Sequence, residues 1–215
     1  MTFAQFILLN LFILSSQVSG KELVIYSASN NTLNDQAFLR LQQALNTLGH
    51  QAKYEIVATR RSLQLANTVG DGELVRVAEL KTLYPELTNN LSRIEEPLMH
   101  IAFVELTKRN TSAPPAESSK LAIPKDVFIL QQEYPAAAIV DGNEKLVELL
   151  KADRVDRIII PVSDEKMLHD YQLYSSQYHL KTLKTQKIYT YLHKKHQKLA
   201  EQLAPVLQAM NQSNQ

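Results

Sequence analysis

The sequence contains no cysteine, and this absence excludes disulfide bonds, catalysis by a thiol and a lipidated N-terminal cysteine. It also has no excess of either charge, because 23 lysines and arginines stand against 22 aspartates and glutamates and leave a net charge of +1. A balanced charge provides no bulk attraction to nucleic acid, so we expect no nucleic-acid partner. There is no internal repeat.

Residues 1–20 lack charged side chains altogether and include the apolar run FILLNLFIL. The small residues VSG that follow, ending at Gly20, are typical of a secretory signal peptide cleaved there. The alternative is a retained membrane anchor, but the apolar part has about a dozen residues and is interrupted by Asn10, whereas a span needs roughly 20. We expect a periplasmic monomer that begins at Lys21, since that compartment suits an exported protein without cysteine.

Residues 60–76, RRSLQLANTVGDGELVR, form a segment of high charge density between two apolar runs. The pattern predicts the end of a strand, a short amphipathic helix, a tight turn and a second strand. Gly70 and Gly72 flank Asp71 and allow the backbone a turn with positive φ. Asp71 fits the role of a turn former better than that of a ligand group.

Four side chains in this segment, and one on the first strand, are candidates for contact with a ligand. In an alternating β-α-β unit, the loops at the carboxyl ends of the strands line the ligand crevice. A guanidinium can take a carboxylate by two parallel hydrogen bonds, so we predict an anionic or strongly hydrogen-bonding solute, with Arg61 as its main contact and Ser62 and Arg76 assisting. Glu73 could orient an arginine or take a cationic group, and Tyr26, at the end of the first strand, could stack on the solute. The alternatives are a surface pair between Arg61 and Glu73 and a core position for Tyr26.

The rest of the chain alternates between predicted strands and helices. Apolar periodicity predicts strands at 22–27, 54–58, 91–94, 100–107, 127–130, 137–140, 157–160, 178–183 and 188–192, and a loop at 109–119. Helices are predicted between Thr32 or Asn34, as the N-cap, and Gly49, after residues 141–143, after Ser163, and from about Lys194 to the end, with an interruption at Pro205. Because the second half repeats the pattern of the first, we expect an α/β fold of two lobes around a crevice. Lobe one would comprise residues 21–102 and 188–215, and lobe two residues 103–187.

Several blocks of sequence resemble one known family. RSLQLAN followed by DGELVR, then YPEL, RIEEPL and AFV, resembles periplasmic solute-binding proteins of the amino-acid type (extracellular solute-binding protein family three), in a short, stand-alone proteobacterial branch. KLVELLKADRVDRIII and IYTYLHKKHQKLAEQLAPVLQAM agree, and the resemblance covers nearly all of the chain after residue 20. It implies a two-lobed type II periplasmic-binding-protein-like fold that closes on a small polar solute, without catalysis or cofactor. It also implies that Arg61, Ser62 and Arg76 supply the lobe-one donors, whereas the family's acidic partner for an amino group falls near Pro161.

Two functions follow as hypotheses from the crevice and the resemblance. The chain would bind an amino-acid-like or other carboxylate solute and deliver it to a membrane transporter, or it would act as a sensory module that reports to a membrane receptor. No nucleophile with an organised base is recognisable, so we expect no enzymatic activity. His193 and His196 lie one helical turn apart, but no third ligand has suitable spacing, which favours a solvated helix start over a metal site.

Overall fold

The computed structural model describes residues 22–28, 31–109, 119–125 and 127–213. The expected signal peptide at 1–20 and most of the expected loop at 109–119 lie outside the described residues. Within the described ranges, none of the helices combines the length and the apolar character that a membrane span requires.

Strands and helices alternate along the chain, as the periodicity predicts. The first half contains β1 (Glu22–Ser27), α1 (Thr32–Thr47), β2 (Gln51–Ile56), α2 (Thr59–Thr68), β3 (Gly72–Arg76), α3 (Leu80–Leu83), a 3-10 turn at Pro85–Leu87 and β4 (Leu91–Arg93). The second half contains β5 (Met99–Lys108), β6 (Leu121–Pro124), α4 (Phe128–Glu133), β7 (Ala138–Val140), α5 (Asn143–Lys151), β8 (Arg157–Val162), α6 (Glu165–Asp170), β9 (Tyr178–His193), a 3-10 turn at Lys194–His196 and α7 (Gln197–Gln212).

The strands that the structure describes belong to one continuous sheet, in the order β2-β1-β3-β9-β5-β8-β6-β7, with β4 paired to β9 beside that path. β1 pairs in parallel with β2 and β3, and β6 pairs in parallel with β7 and β8. Strand β9 connects the two parallel groups, because residues 178–188 pair with β5 and residues 189–193 pair with β3 and β4. Two α/β units therefore share one long strand.

One strand prediction is wrong, and the others that follow differ in their bounds. Residues 127–130 lead into helix α4, which begins at Phe128. The strand between β7 and β8 is instead β6, at Leu121–Pro124, which the periodicity did not predict. The strands expected at 178–183 and 188–192 are one strand of 16 residues, since its two ends pair with different partners. The second strand ends at Ile56, so residues 57–58 only lead into α2.

The helix ends also differ from expectation in detail. Asn31 caps α1 by accepting a hydrogen bond from the Asn34 backbone at 2.9 Å, one residue before Thr32. Asp164, not Ser163, caps α6. Helix α7 continues through Pro205, which is exposed. Apolar burial on both sides of the proline holds this helix together at the cost of one backbone hydrogen bond.

Gly70 and Gly72 do not adopt positive φ, contrary to the turn prediction; Gly49, which ends α1, does, with φ at +75. The role of Gly70 and Gly72 is to allow close packing of their neighbours. A Cβ on Gly70 would lie 2.4 Å from Cε2 of Tyr26, and a Cβ on Gly72 would lie 2.5 Å from the carbonyl oxygen of Tyr191. Neither position has room for a methyl group unless a neighbour moves.

The apolar face of α1 and that of α7 lie in one core. Helix α7 packs against α1, β4 and β9, so the carboxyl terminus joins the first half of the chain. The fully or nearly fully buried side chains that make this contact region are Leu33, Ala37, Leu41, Leu45, Leu199, Leu203 and Leu207. Each buried leucine contributes about 1.5–3 kcal/mol relative to an exposed one.

Candidate functional site

A cleft of about 280 Å³ is lined by residues from both halves of the chain. The first half contributes, among others, Asn31, Asn34, Thr59, Arg76, Leu80 and Tyr84. The second half contributes, among others, Ile101, Phe103, Ile129, Gln132, Asn143 and Pro161. Small-molecule sites occupy about 300–1,000 Å³, and this cleft lies just below the lower end of that range, so only a small ligand fits it.

Three of the candidates meet in a buried cluster beside the cleft. Ser62 and Glu73 have no exposed surface, and the Arg76 side chain is 16% exposed. Arg76 Nη2 forms an ion pair with Glu73 Oε1 and donates to Ser62 Oγ at 3.0 Å. Ser62 Oγ in turn lies 3.0 Å from Glu73 Oε1 and 2.9 Å from the Thr59 carbonyl oxygen. The guanidinium that lines the cleft is thus held in place from behind.

Burial dominates the electrostatics of this cluster. It raises the pKa of the Glu73 carboxyl from 4.5 to about 7, against the lowering effects of the Arg76 charge and of the Ser62 and Arg76 hydrogen bonds. Glu73 Oε2 and Arg76 Nε are buried and find no hydrogen-bond partner in the described part of the chain. Such unsatisfied polar atoms cost stability, and in a native structure they often mark functional positions.

Local geometry explains how Glu73 and Arg76 come to share a face. Residues three apart on a regular strand point to opposite faces of the sheet. Here the pairing of β3 with β9 shifts register between Glu73 and Arg76, and this irregularity brings both side chains to one side. Ser62 reaches them from the first turn of α2.

The other two candidates lie apart from this cluster. Arg61 is exposed at the start of α2 and is not among the residues that line the cleft. Tyr26 is 7% exposed and packs in a small apolar cluster with Leu63, Ala66 and Tyr191, also away from the cleft. For Tyr26 this is the core position that the sequence left as the alternative.

Asn143 is a cleft residue that sequence reasoning treated only as part of a turn. It is 3% exposed, begins α5, and its side-chain amide is buried beside the Tyr171 hydroxyl, whose pKa is raised by burial and lowered by the Asn143 hydrogen bond. It follows β7 as Arg60 and Arg61 follow β2, so the rule that singled out the arginines also points to Asn143. Phe103 and Ile101, which line the cleft from β5, have no comparable signal in the sequence.

One hydrogen bond connects α1 to the segment before α6. Ser163 Oγ donates to Gln36 Oε1 at 2.5 Å, across 127 residues of sequence. The contact joins the two sides of the molecule that flank the cleft.

Asp71 does more than form the turn expected from the sequence, because its side chain bonds to groups from β1 and from the segment after β9. It accepts hydrogen bonds from the Val24 backbone at 2.8 Å and from Lys195 Nζ at 2.9 Å, and His196 Nε2 lies 2.6 Å away. Burial would raise the pKa of Asp71, but the bonds from Val24, His196 and Lys195 outweigh it and lower the pKa to about 2. In the described ranges, no group of three or more His, Asp or Glu side chains is arranged to hold a metal ion.

A second cavity, of about 360 Å³, lies between α7 and β4. Its lining includes the exposed side chains Lys81, Glu95, Gln197 and Glu201. Arg93 in this groove pairs with Glu95 at 2.7 Å and stands 4.7 Å above the Tyr189 ring. The charged side chains Arg93 and Glu95 on the wall of this cavity already pair with each other. The cleft between the two halves of the chain is therefore the better candidate for the functional site, although its volume is smaller.

No family model and no curated protein matches this sequence. Solved structures do match over most of their length. A histidine kinase sensor domain with similarity to periplasmic binding proteins has a TM-score of 0.64 at 11% identity, covering 91% of this chain and 92% of that one. A substrate-binding protein of an ABC uptake transporter from Streptococcus pneumoniae, with bound histidine, has a TM-score of 0.64 at 12% identity, covering 89% and 87%. An ancestral amino-acid-binding protein, a precursor of cyclohexadienyl dehydratase, has a TM-score of 0.63 at 13% identity, covering 90% and 91%. The chain therefore has the two-lobed α/β fold of type II periplasmic binding proteins.

Proposed function

We propose that the chain binds a small solute reversibly in the cleft, with Arg76 as the charged contact and Asn143 as a hydrogen-bond donor from the opposite side. The observation that carries this proposal is the placement of a cationic side chain and a buried amide on the walls of one cleft, each from a different half of the chain. We propose a binding role without catalysis, like that of the binding proteins with this fold.

Arg76 takes the role that the sequence assigned to Arg61. The Arg76 guanidinium is mostly withdrawn from water and is oriented by Glu73 and Ser62, so little conformational entropy is lost when it meets a ligand. Arg61 is exposed, and a charged contact there would be screened by solvent.

The bound solute could serve two downstream roles: the chain delivers it to a membrane transporter, or the chain reports its presence to a membrane receptor. The first is favoured by the likeness to a transporter's substrate-binding protein, and the second by the likeness to a kinase sensor domain of nearly the same length. In either role, we propose a periplasmic monomer released from a signal peptide at residues 1–20, with lobe one at 21–102 and 188–215 and lobe two at 103–187. The division of β9 between two sets of partners supports these lobe bounds.

A thermal-shift screen of small carboxylates, amides and amino acids tests the binding proposal. A ligand that binds only the folded state raises the apparent melting temperature. Loss of a buried charged contact costs about 2–5 kcal/mol, so Arg76→Ala should weaken the best ligand by about 30-fold or more.

Arg61→Ala is the matched control, because it removes the same side chain from an exposed position on α2 that does not line the cleft. We expect it to bind like wild type. Melting curves without ligand establish that both variants are folded. Equal binding by Arg76→Ala and wild type, or a selective loss in Arg61→Ala, would contradict the site assignment.

A further inference from the structure

Resting on the proposed solute-binding function, we infer that the ligand is a monocarboxylate with an apolar body and that its carboxylate enters the cleft together with one proton, which Glu73 takes up. The overall process joins the ligand anion, a proton from solvent and the Glu73–Arg76 pair. It yields a ligand carboxylate on Arg76 beside a neutral Glu73. No bond other than that of the transferred proton is made or broken.

The mainly apolar walls of the cleft indicate that the ligand has an apolar body. Among the lining residues that the structure describes, Arg76 and Glu79 carry formal charge, and Glu79 is exposed. Most of the other described lining residues are apolar, including Leu33, Ile101 and Phe103. Each methylene that such walls remove from water contributes about 0.8 kcal/mol.

The same walls disfavour an amino group. The buried carboxylate nearest to the described walls is that of Glu73, and it already accepts from Arg76 and lies beside Ser62. A ligand ammonium would therefore face Arg76 and mainly apolar side chains, with no buried carboxylate among the described lining residues to balance its charge. Burying an unpaired charge is strongly unfavourable.

The net charge of the Glu73–Arg76 pair is the reason to expect that a proton is taken up when the ligand binds. The pair is neutral overall and Glu73 has no exposed surface, so a ligand anion on Arg76 would add a net negative charge beside a buried carboxylate. Protonation of Glu73 removes that repulsion and frees Arg76 for the ligand. Glu73 Oε2, for which the described residues provide no hydrogen-bond partner, is a position for the proton.

The groups around Glu73 leave it as the titrating member. Arg76 on β3 and Ser62 on α2 contact it, and Tyr26 on β1 and Tyr191 on β9 are its partners in strand register. Burial raises the pKa of both tyrosines, that of Tyr191 to about 12, so they keep their protons near neutral pH. Burial also raises the pKa of Glu73 to about 7, which makes proton uptake easy in that range.

Calorimetry with defined probes tests the inference. Hexanoate and phenylacetate represent apolar monocarboxylates, hexanamide a neutral head group, and leucine and phenylalanine the corresponding zwitterions. We expect the two carboxylates to bind best and their affinity to fall about tenfold between about pH 6 and about pH 8. Titrations at the higher pH in two buffers of different ionisation enthalpy should reveal an uptake approaching about one proton per ligand.

Glu73→Gln should bind the carboxylates without pH dependence, because the neutral amide stands in for the protonated acid. Glu55→Gln, which changes an exposed carboxylate, is the control and should keep the wild-type pH profile. If Glu73→Gln does not fold, the buffer comparison on wild type decides alone.

Three results would overturn the inference and leave the proposed function standing. These are tighter binding of leucine or phenylalanine than of the carboxylates, tighter binding of hexanamide, and carboxylate binding without proton uptake. A ligand found in the broader screen while every probe fails would have the same meaning. If neither the screen nor the probes yield a ligand, the proposed function fails as well.

Discussion

Replacing Glu73 by glutamine is expected to make the unliganded chain more stable above neutral pH, although it removes a buried ion pair. Glu73 has no exposed surface, and burial raises its pKa from 4.5 to about 7 even with Arg76 beside it. Between these two pH values the folded chain holds a proton that the unfolded chain releases. The free energy of unfolding therefore falls as pH rises through this window.

The size of the effect follows from the two pKa values. A rise from 4.5 to about 7 corresponds to about 3 kcal/mol of destabilisation, complete above the folded-state pKa. Glutamine resembles the protonated acid, so Glu73→Gln should avoid most of this cost at about pH 8 and differ little from wild type at about pH 4.5. Only one partner of the ion pair is replaced, so Arg76 keeps its charge in the variant, as it does beside the protonated acid in wild type.

Urea unfolding followed by circular dichroism across this pH range measures the difference directly. Other groups titrate in the same window, so the quantity to compare is wild type minus Glu73→Gln at each pH. Glu55→Gln, an exposed change, should follow wild type. A difference that does not vary with pH, or wild type gaining on the variant as pH rises, would refute the reasoning.

Three further predictions concern stability. Asp71→Asn should lower the free energy of unfolding at neutral pH by about 2–3 kcal/mol. The lowered pKa of Asp71 provides stability that is present above pH 3.8 and is lost as the pH falls through about 2. Asp153→Asn, which changes an exposed ion pair, is the control in urea titrations. Gly72→Ala should lower the free energy of unfolding by at least about 1–3 kcal/mol, since the new Cβ would clash with backbone. Gly49→Ala should lower it less, because that position has space for a Cβ and only its positive φ is unfavourable. Equal melting temperatures of the two variants would contradict this packing argument. Leu203→Ala should cost about 2–5 kcal/mol in urea unfolding and Pro205→Ala should not destabilise, whereas an unaffected Leu203→Ala would mean that α7 is not part of the core.

The sequence could predict most elements because their signals are local. The spacing of Ala37, Leu41, Ala44 and Leu45 predicts the buried face of α1, and all four are buried. It could not distinguish helix from strand at 127–130, since four apolar residues fit either structure and the choice depended on β6 occupying the sheet position. In the same way, nothing local joins 178–183 to 188–192.

For the candidate site, the sequence determined the segment and the residue types. Residues 60–76 contain Ser62, Glu73 and Arg76, which meet beside the cleft. Only the tertiary structure decided which arginine lines that cleft. Successive residues on a helix point about 100° apart, so when Ser62 faces β3, Arg61 turns to solvent. The register shift against β9 brings Arg76 onto the face of Glu73, and strand partners distant in sequence impose that shift.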